Sequence, residues 1–192
     1  MRSEGRSKPR RRRCDVPICQ NASSVYLYRF EECRIIEEQH FCRPHFQQYV
    51  PGPLALQDSV SATEPVEIDL DFLFCALDGP SFVAGLKGKE QDCRLNLRVR
   101  RRNAAELVVL GQNHRRTRTV YNVLEEVIKS LGAIPDRILI DRPLDTWRTT
   151  LHMRSPRQSV ALSSTAEGIL LAITSRLPIF ATFRAINLKT ID

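Results

Sequence analysis

The sequence predicts an α+β protein, a mixed sheet with helices arranged as two tandem β-β-β-α units, preceded by a small N-terminal β-hairpin. Three observations carry that reading. Short runs rich in β-branched and aromatic residues recur between turn residues, the pattern of strands. Longer stretches place apolar residues at helical spacing and stop beside glycine. The order strand-strand-strand-helix then occurs twice beyond residue 63, which suits helices laid against one sheet.

Taken in order, residues 25–30 and 34–41 form the hairpin strands, with Glu31, Glu32 and Cys33 at the turn. Residues 49–63 contain Pro51-Gly52-Pro53 and keep neither period, so they read as a linker. Strands follow over 66–77, 81–86 and 93–99, separated by Asp78-Gly79-Pro80 and Lys87-Gly88-Lys89. Asn103 is expected to cap a short helix that runs to Leu110 and stops at Gly111. Thr119 caps a second helix, in which Val120, Val123, Leu124, Val127, Ile128 and Leu131 share helical spacing before Gly132 ends it. Strands over 137–141, 146–153 and 158–162, a helix over 165–175 and a last strand over 177–182 complete the chain. The expected organisation is an arm (1–13), a hairpin module (14–48), a linker (49–63) and a larger domain (64–192).

The 192 residues are 42% hydrophobic and 27% charged, values that support a packed core. No apolar run approaches the roughly 18 residues of a membrane helix, so no membrane association is expected. The basic start runs into Cys14 and polar residues, not an apolar segment, so no signal peptide is expected. Cys33, Cys75 and Cys93 are scattered singly and suggest no disulfide framework; a reducing cytoplasm is the expected location. A homo-oligomer is compatible with all of this.

Charge is unevenly placed. Of the net +7, residues 1–13 hold seven basic side chains (Arg2, Arg6, Lys8, Arg10, Arg11, Arg12 and Arg13) against Glu4. Residues 44–86 have no Lys or Arg but six acids, and 94–118 have eight arginines against Glu106. A basic arm and the loop carrying His114, Arg115, Arg116 and Arg118 are therefore candidate contacts for DNA or RNA phosphates. A solvated tail and an exposed loop are the alternative reading.

One pattern selects a particular chemistry. Cys14 and Cys19 are separated by four residues, and after a gap of twenty-two residues Cys42 and His45 are separated by two. Two short ligand pairs around a hairpin-length insert are how structural zinc sites are built. Pro17 and Pro44 favour a turn in each pair. His40 competes for the fourth position, whereas Cys33 belongs at the hairpin tip and is excluded.

Two further stretches carry a family resemblance: Tyr121-Asn-Val-Leu-Glu-Glu-Val-Ile-Lys-Ser-Leu-Gly-Ala133 and Ala166-Glu-Gly-Ile-Leu-Leu-Ala-Ile-Thr-Ser-Arg-Leu-Pro-Ile-Phe180. With Arg137-Ile-Leu-Ile-Asp141 between them, they resemble the bifunctional nuclease domain. The knuckles around the hairpin are similar to the zinc modules of protein-arginine-kinase activators. Where the nuclease family has Thr-His-Asp, this chain has Val120, Tyr121 and Asn122; where it has Arg-Pro-Ser-Asp, the chain has Ser164, Thr165, Ala166 and Glu167. The resemblance implies Tyr121, Asn122 and Glu167 at the catalytic positions, with a divalent metal such as Mg2+ as the electrophile. It implies a nuclease-family protein that binds nucleic acid, as a phosphodiesterase of weak activity. The alternative is a catalytically silent zinc-containing interaction or regulatory protein on the same fold. For Glu167 the structural alternative is a favourable charge in a helix's first turn.

Overall fold

The computed structural model describes residues 12–49, 64–76, 82–112 and 119–186. The expected contacts Arg10, Arg11, His114, Arg115, Arg116 and Arg118 lie outside the described residues, as does nearly all of the linker.

The chain is α+β with a mixed sheet. The first three elements are β1 (Val25–Glu31), β2 (Arg34–Phe41) and α1 (Arg43–Tyr49). A meander of β3 (Val66–Ala76), β4 (Phe82–Gly88) and β5 (Arg94–Arg98) leads into α2 (Arg101–Gln112) and α3 (Val120–Ser130). A second meander of β6 (Ile134–Asp141), β7 (Arg148–Ser155) and β8 (Gln158–Leu162) leads into α4 (Thr165–Ser175). Strand β9 (Ile179–Ala181) and the short α5 (Phe183–Ile186) follow. Every neighbouring pair within each meander is antiparallel.

Strand β9 joins the two meanders, lying antiparallel to β3 and parallel to β6. A parallel pair needs a crossover, and α4 supplies it across β6, β7 and β8. Its composition suits that position, because Ala166, Gly168, Ile169, Leu170, Leu171, Ala172 and Ile173 are all buried. At Gly168 a Cβ would come 2.5 Å from Thr149 Cγ2, so the missing side chain lets the helix settle onto β7.

The eleven-residue β3 organises the sheet. One edge pairs with β4; the other is shared by β9 at residues 66–68 and by β1 at residues 72–76. The hairpin therefore belongs to the same sheet as the rest of the described chain. Its tip packs on α2, where a Cβ on Gly111 would lie 2.7 Å from both Phe30 and Ile35.

That packing corrects the expectation at Gly111, which is buried inside α2 and does not end it. Nor does Asn103 cap the helix. It is buried two residues inside, while Arg101 and Arg102 extend the first turn into solvent. Thr119 and Gly132 do bound α3 as expected, Gly132 with a positive φ of 76°.

Candidate metal centre

The first ligand pair sits on a short irregular segment ahead of β1. Arg13 bridges to Ala22, the Cys14 amide donates to Asn21 O at 3.0 Å, and the Cys19 amide donates to Val16 O at 3.1 Å. Together these bonds fold residues 14–19 back over the end of the hairpin. The second pair lies where β2 runs into α1: Cys42 precedes the helix, and its carbonyl accepts the first helical bond from Phe46 N at 3.0 Å. His45 is in the first turn. Phe46 stacks on Phe74 of β3, with ring centroids 3.9 Å apart, and so ties α1 to the sheet.

These elements bring four donors together. Cys19 Sγ and Cys42 Sγ are 3.8 Å apart, and His45 Nδ1 lies 3.4 Å from Cys14 Sγ and 3.3 Å from Cys42 Sγ. All four ligand atoms lie within 4.8 Å of one another. A tetrahedral zinc with Zn–S of about 2.3 Å and Zn–N of about 2.0–2.1 Å has S···S edges of about 3.8 Å and S···N edges of about 3.6 Å. The residues fit a zinc-sized ion: Cys14 and Cys42 are buried and all six cysteines are free thiols. Such a set of donors could hold a metal ion.

The electrostatics separate the thiols. Cys42 is lowered to about 7, first by the amide of His45 at the start of α1, with Asn21 Nδ2 also donating toward its sulfur at 3.8 Å. Cys19 receives a similar pull from the Asn21 amide, but burial and the neighbouring Cys42 and Cys14 outweigh it, so its thiol is raised. One sulfur is therefore prepared as a thiolate near neutral pH, the form that binds metal.

His40 plays a different part from its neighbour. It is buried, with Nε2 2.8 Å from Glu38 Oε1 and Nδ1 3.3 Å from Asp15 Oδ2, and Tyr26 packs edge-on against its ring. Both ring nitrogens thus have carboxylate partners, and His45 is the histidine in the cluster. Arg12 reaches Glu38 at 3.2 Å and so braces the same wall. Arg13 is exposed beside it. Cys33 packs against the core at the tip and is not among the four clustered donors.

The three positions suggested by the nuclease resemblance lie at helix starts. Asn122 is engaged locally, its Oδ1 accepting from Thr119 N at 2.8 Å and Thr119 Oγ1 at 3.1 Å. Glu167 accepts from the Ser163 hydroxyl, and its amide donates to the N-cap Ser164 Oγ at 3.2 Å. Tyr121 is pushed up to about 12 by burial and then by the charges of Glu106 and Glu167, which brings α2, α3 and α4 to one electrostatic neighbourhood. A phenol held neutral in this way is a poor base at pH 7. Asp141 already accepts from Thr182, from Arg184 at 3.0 Å and from the Arg142 amide at 2.9 Å. Among the described residues, the Cys14–Cys19–Cys42–His45 group is the only cluster of three or more His, Cys, Asp or Glu placed to hold a metal. No group of three or more such side chains forms at these helix starts among the described residues.

One polar feature escaped the sequence. A cavity of about 690 Å3 is bordered by Asn122, Arg34 and Arg176, and by Lys89 with its partners Glu67 (2.5 Å) and Asp69 (3.7 Å). Burial raises Asp69, against the pull of Lys89. Glu67 and Lys89 are 22 residues apart, and nothing in their local sequence signals the pairing.

No helix among the described residues is long and apolar enough to cross a membrane. No family model matches the chain. No curated protein matches it either.

Proposed function

We propose that the chain is a zinc-stapled protein of the bifunctional nuclease type that binds nucleic acid and hydrolyses it weakly or not at all. The observation that carries the zinc is the set of donor separations, 3.8 Å between sulfurs and 3.3–3.4 Å from sulfur to nitrogen. The ion is structural: it has four protein ligands and no open position for substrate. Nucleic-acid binding is supported by the basic run at 1–13 and the arginines of 94–118. Weak or absent hydrolysis follows from the occupations described above. Asn122 braces its helix, Glu167 is held by Ser163, and Tyr121-Asn122 stands where the family has His-Asp.

Elemental analysis of anaerobically purified protein should find one zinc per chain, lost in Cys42→Ser and kept in Cys33→Ser. Structural zinc in small modules is worth on the order of 10 kcal/mol. Chelation should therefore remove hydrogen-exchange protection first at residues 14–24 and 42–46. The hairpin tip, held by Gly111, should stay protected longer. A metal-free purified protein, or a Cys33→Ser variant that loses metal, would refute the ligand set. Deleting residues 1–13 should weaken binding to single-stranded DNA and RNA. It should also reduce the salt slope by about 0.7–0.9 for every phosphate the arm neutralises. Robust metal-dependent cleavage abolished by Glu167→Ala would establish a nuclease instead.

A further inference from the structure

The sheet has two faces of different character. One carries Ile68, Leu73, Leu86, Leu97 and Ile138 into the core beneath the helices. On the other, Phe72, Phe74, Val83 and Phe180 are only partly buried and stand outside that core. Three basic side chains join them: Lys87 and Arg94, opposite one another on β4 and β5, and Arg98, opposite Val83. Alternation puts them there, because Leu86, Leu95 and Leu97 between them are buried. None of the three forms an ion pair among the described residues. The acids on this face are already engaged, Asp69 by Lys89 at 3.7 Å and Glu37 by Arg29 at 3.5 Å.

The aromatic rings of this face are not equivalent. Phe46 stacks on Phe74, and Arg137 lies over Phe180 at 5.7 Å. Phe72 has no ring or cation partner among the described residues. Gly85 sits opposite it on β4, and a Cβ there would run into the Phe72 ring. The ring therefore leans across β4 in the space a side chain would fill, with part of it still in solvent. Exposed Asn96 completes the same row on β5.

We propose that this face binds single-stranded nucleic acid, with a base stacked on Phe72 and phosphates held by Lys87, Arg94 and Arg98. Binding here rests on the nucleic-acid reading above and gives it a site beyond the basic arm. Charge complementarity names the occupant as a polyanion, since three unpaired cations border one open ring across three adjacent strands. Arg94 and Arg98 are four residues apart on β5, about 13 Å along the strand, so they reach different phosphates of one chain. The ring selects nucleic acid over an acidic peptide, because every base has a π-face to lay on it and a carboxylate side chain has none. It also selects a single strand. A ring seated on a sheet cannot enter a duplex and meets only bases that are already unstacked. Asn96, between the two arginines, offers both a donor and an acceptor to the edge of such a base.

The test is fluorescence anisotropy of the full-length, zinc-loaded chain with labelled oligothymidylate, an abasic strand of equal length, and polyglutamate. The wild type should bind the oligothymidylate more tightly than either of the others. Arg94→Gln with Arg98→Gln should weaken binding and lower the salt slope by about 1.4, or about 0.7 for each phosphate released. Phe72→Leu should weaken oligothymidylate binding roughly fivefold or more, with the salt slope and the affinity for the abasic strand unchanged. Ultraviolet crosslinking of the wild-type complex should attach thymine to Phe72, a readout that requires no variant to fold. Wild-type affinity and slope in both variants, or crosslinks that map only elsewhere, overturn the site while leaving nucleic-acid binding intact. A wild type that binds neither strand overturns both. Tighter binding of polyglutamate makes the face a site for acidic protein and overturns the proposal. Equal losses on the base-bearing and abasic strands in Phe72→Leu overturn the stacking.

Discussion

Helices α3 and α4 are each eleven residues long and each is evident from apolar periodicity, yet they have opposite fates. Seven residues of α4 are buried in the crossover between β6 and β9; none of α3 is. The difference lies in what surrounds the apolar positions. In α4 they run almost unbroken from Ala166 to Ile173, so the helix can be covered on nearly every side. In α3 they form a stripe beside Asn122, Glu125, Glu126 and Lys129, and the chain turns a different row toward its own core. Periodicity establishes that a helix has an apolar face. It does not establish which molecule covers that face.

The contrast can be broken by truncating one leucine in each helix. Leu170→Ala removes a fully buried side chain and should cost roughly 2–5 kcal/mol in denaturant unfolding, through forfeited transfer energy and the cavity left behind. Leu124→Ala in dilute monomer should stay within about 0.5 kcal/mol. Similar losses from the two truncations would mean that α3 is covered within the chain, and the comparison would fail. A smaller effect tests the helix ends. Ser164→Ala removes the cap that accepts from Glu167 N and should cost about 1 kcal/mol, read as a lower melting temperature. Asn122→Ala, which removes an acceptor at the start of the exposed helix, should cost less.

The smallest effect concerns the sheet face behind α4. His152 alternates with the buried Leu151 along β7, so its side chain points away from the helices. Burial, then the charge of Arg137, lowers it below the ordinary value of 6.5. A depressed group contributes stability that is present above its unfolded value and is lost as pH falls through the folded one. Acidification below about 6.5 should therefore erode stability, and His152→Gln should flatten that slope in melts across pH.

Most of the fold is legible in the sequence because its elements are locally determined. The N-cap at Thr119, the stop at Gly132 and the hairpin around Cys33 each need only near neighbours in sequence. What escapes is set by distant partners. Gly111 reads as a helix terminator until Phe30 and Ile35 arrive against it from about eighty residues away. Helix α1 is hidden although Pro44 in its first turn is a recognised start signal, because the ligand spacing draws that residue into a knuckle instead. The metal donors are legible as a set, since residue type and spacing name them. The choice of His45 over His40 is not, because it depends on Asp15 and Glu38 occupying the nitrogens of His40.

The position of β9 has a consequence for how the protein is made. This three-residue strand lies between β3 and β6, yet it is translated after both meanders. A ribosome-bound chain can form β3–β5 and β6–β8 early, but each half-sheet then keeps an open edge until residues 179–181 leave the exit tunnel. Strand closure is thus a late event of synthesis and a highly non-local one. A chain interrupted just before it would present two sticky edges where the finished protein has a continuous ladder.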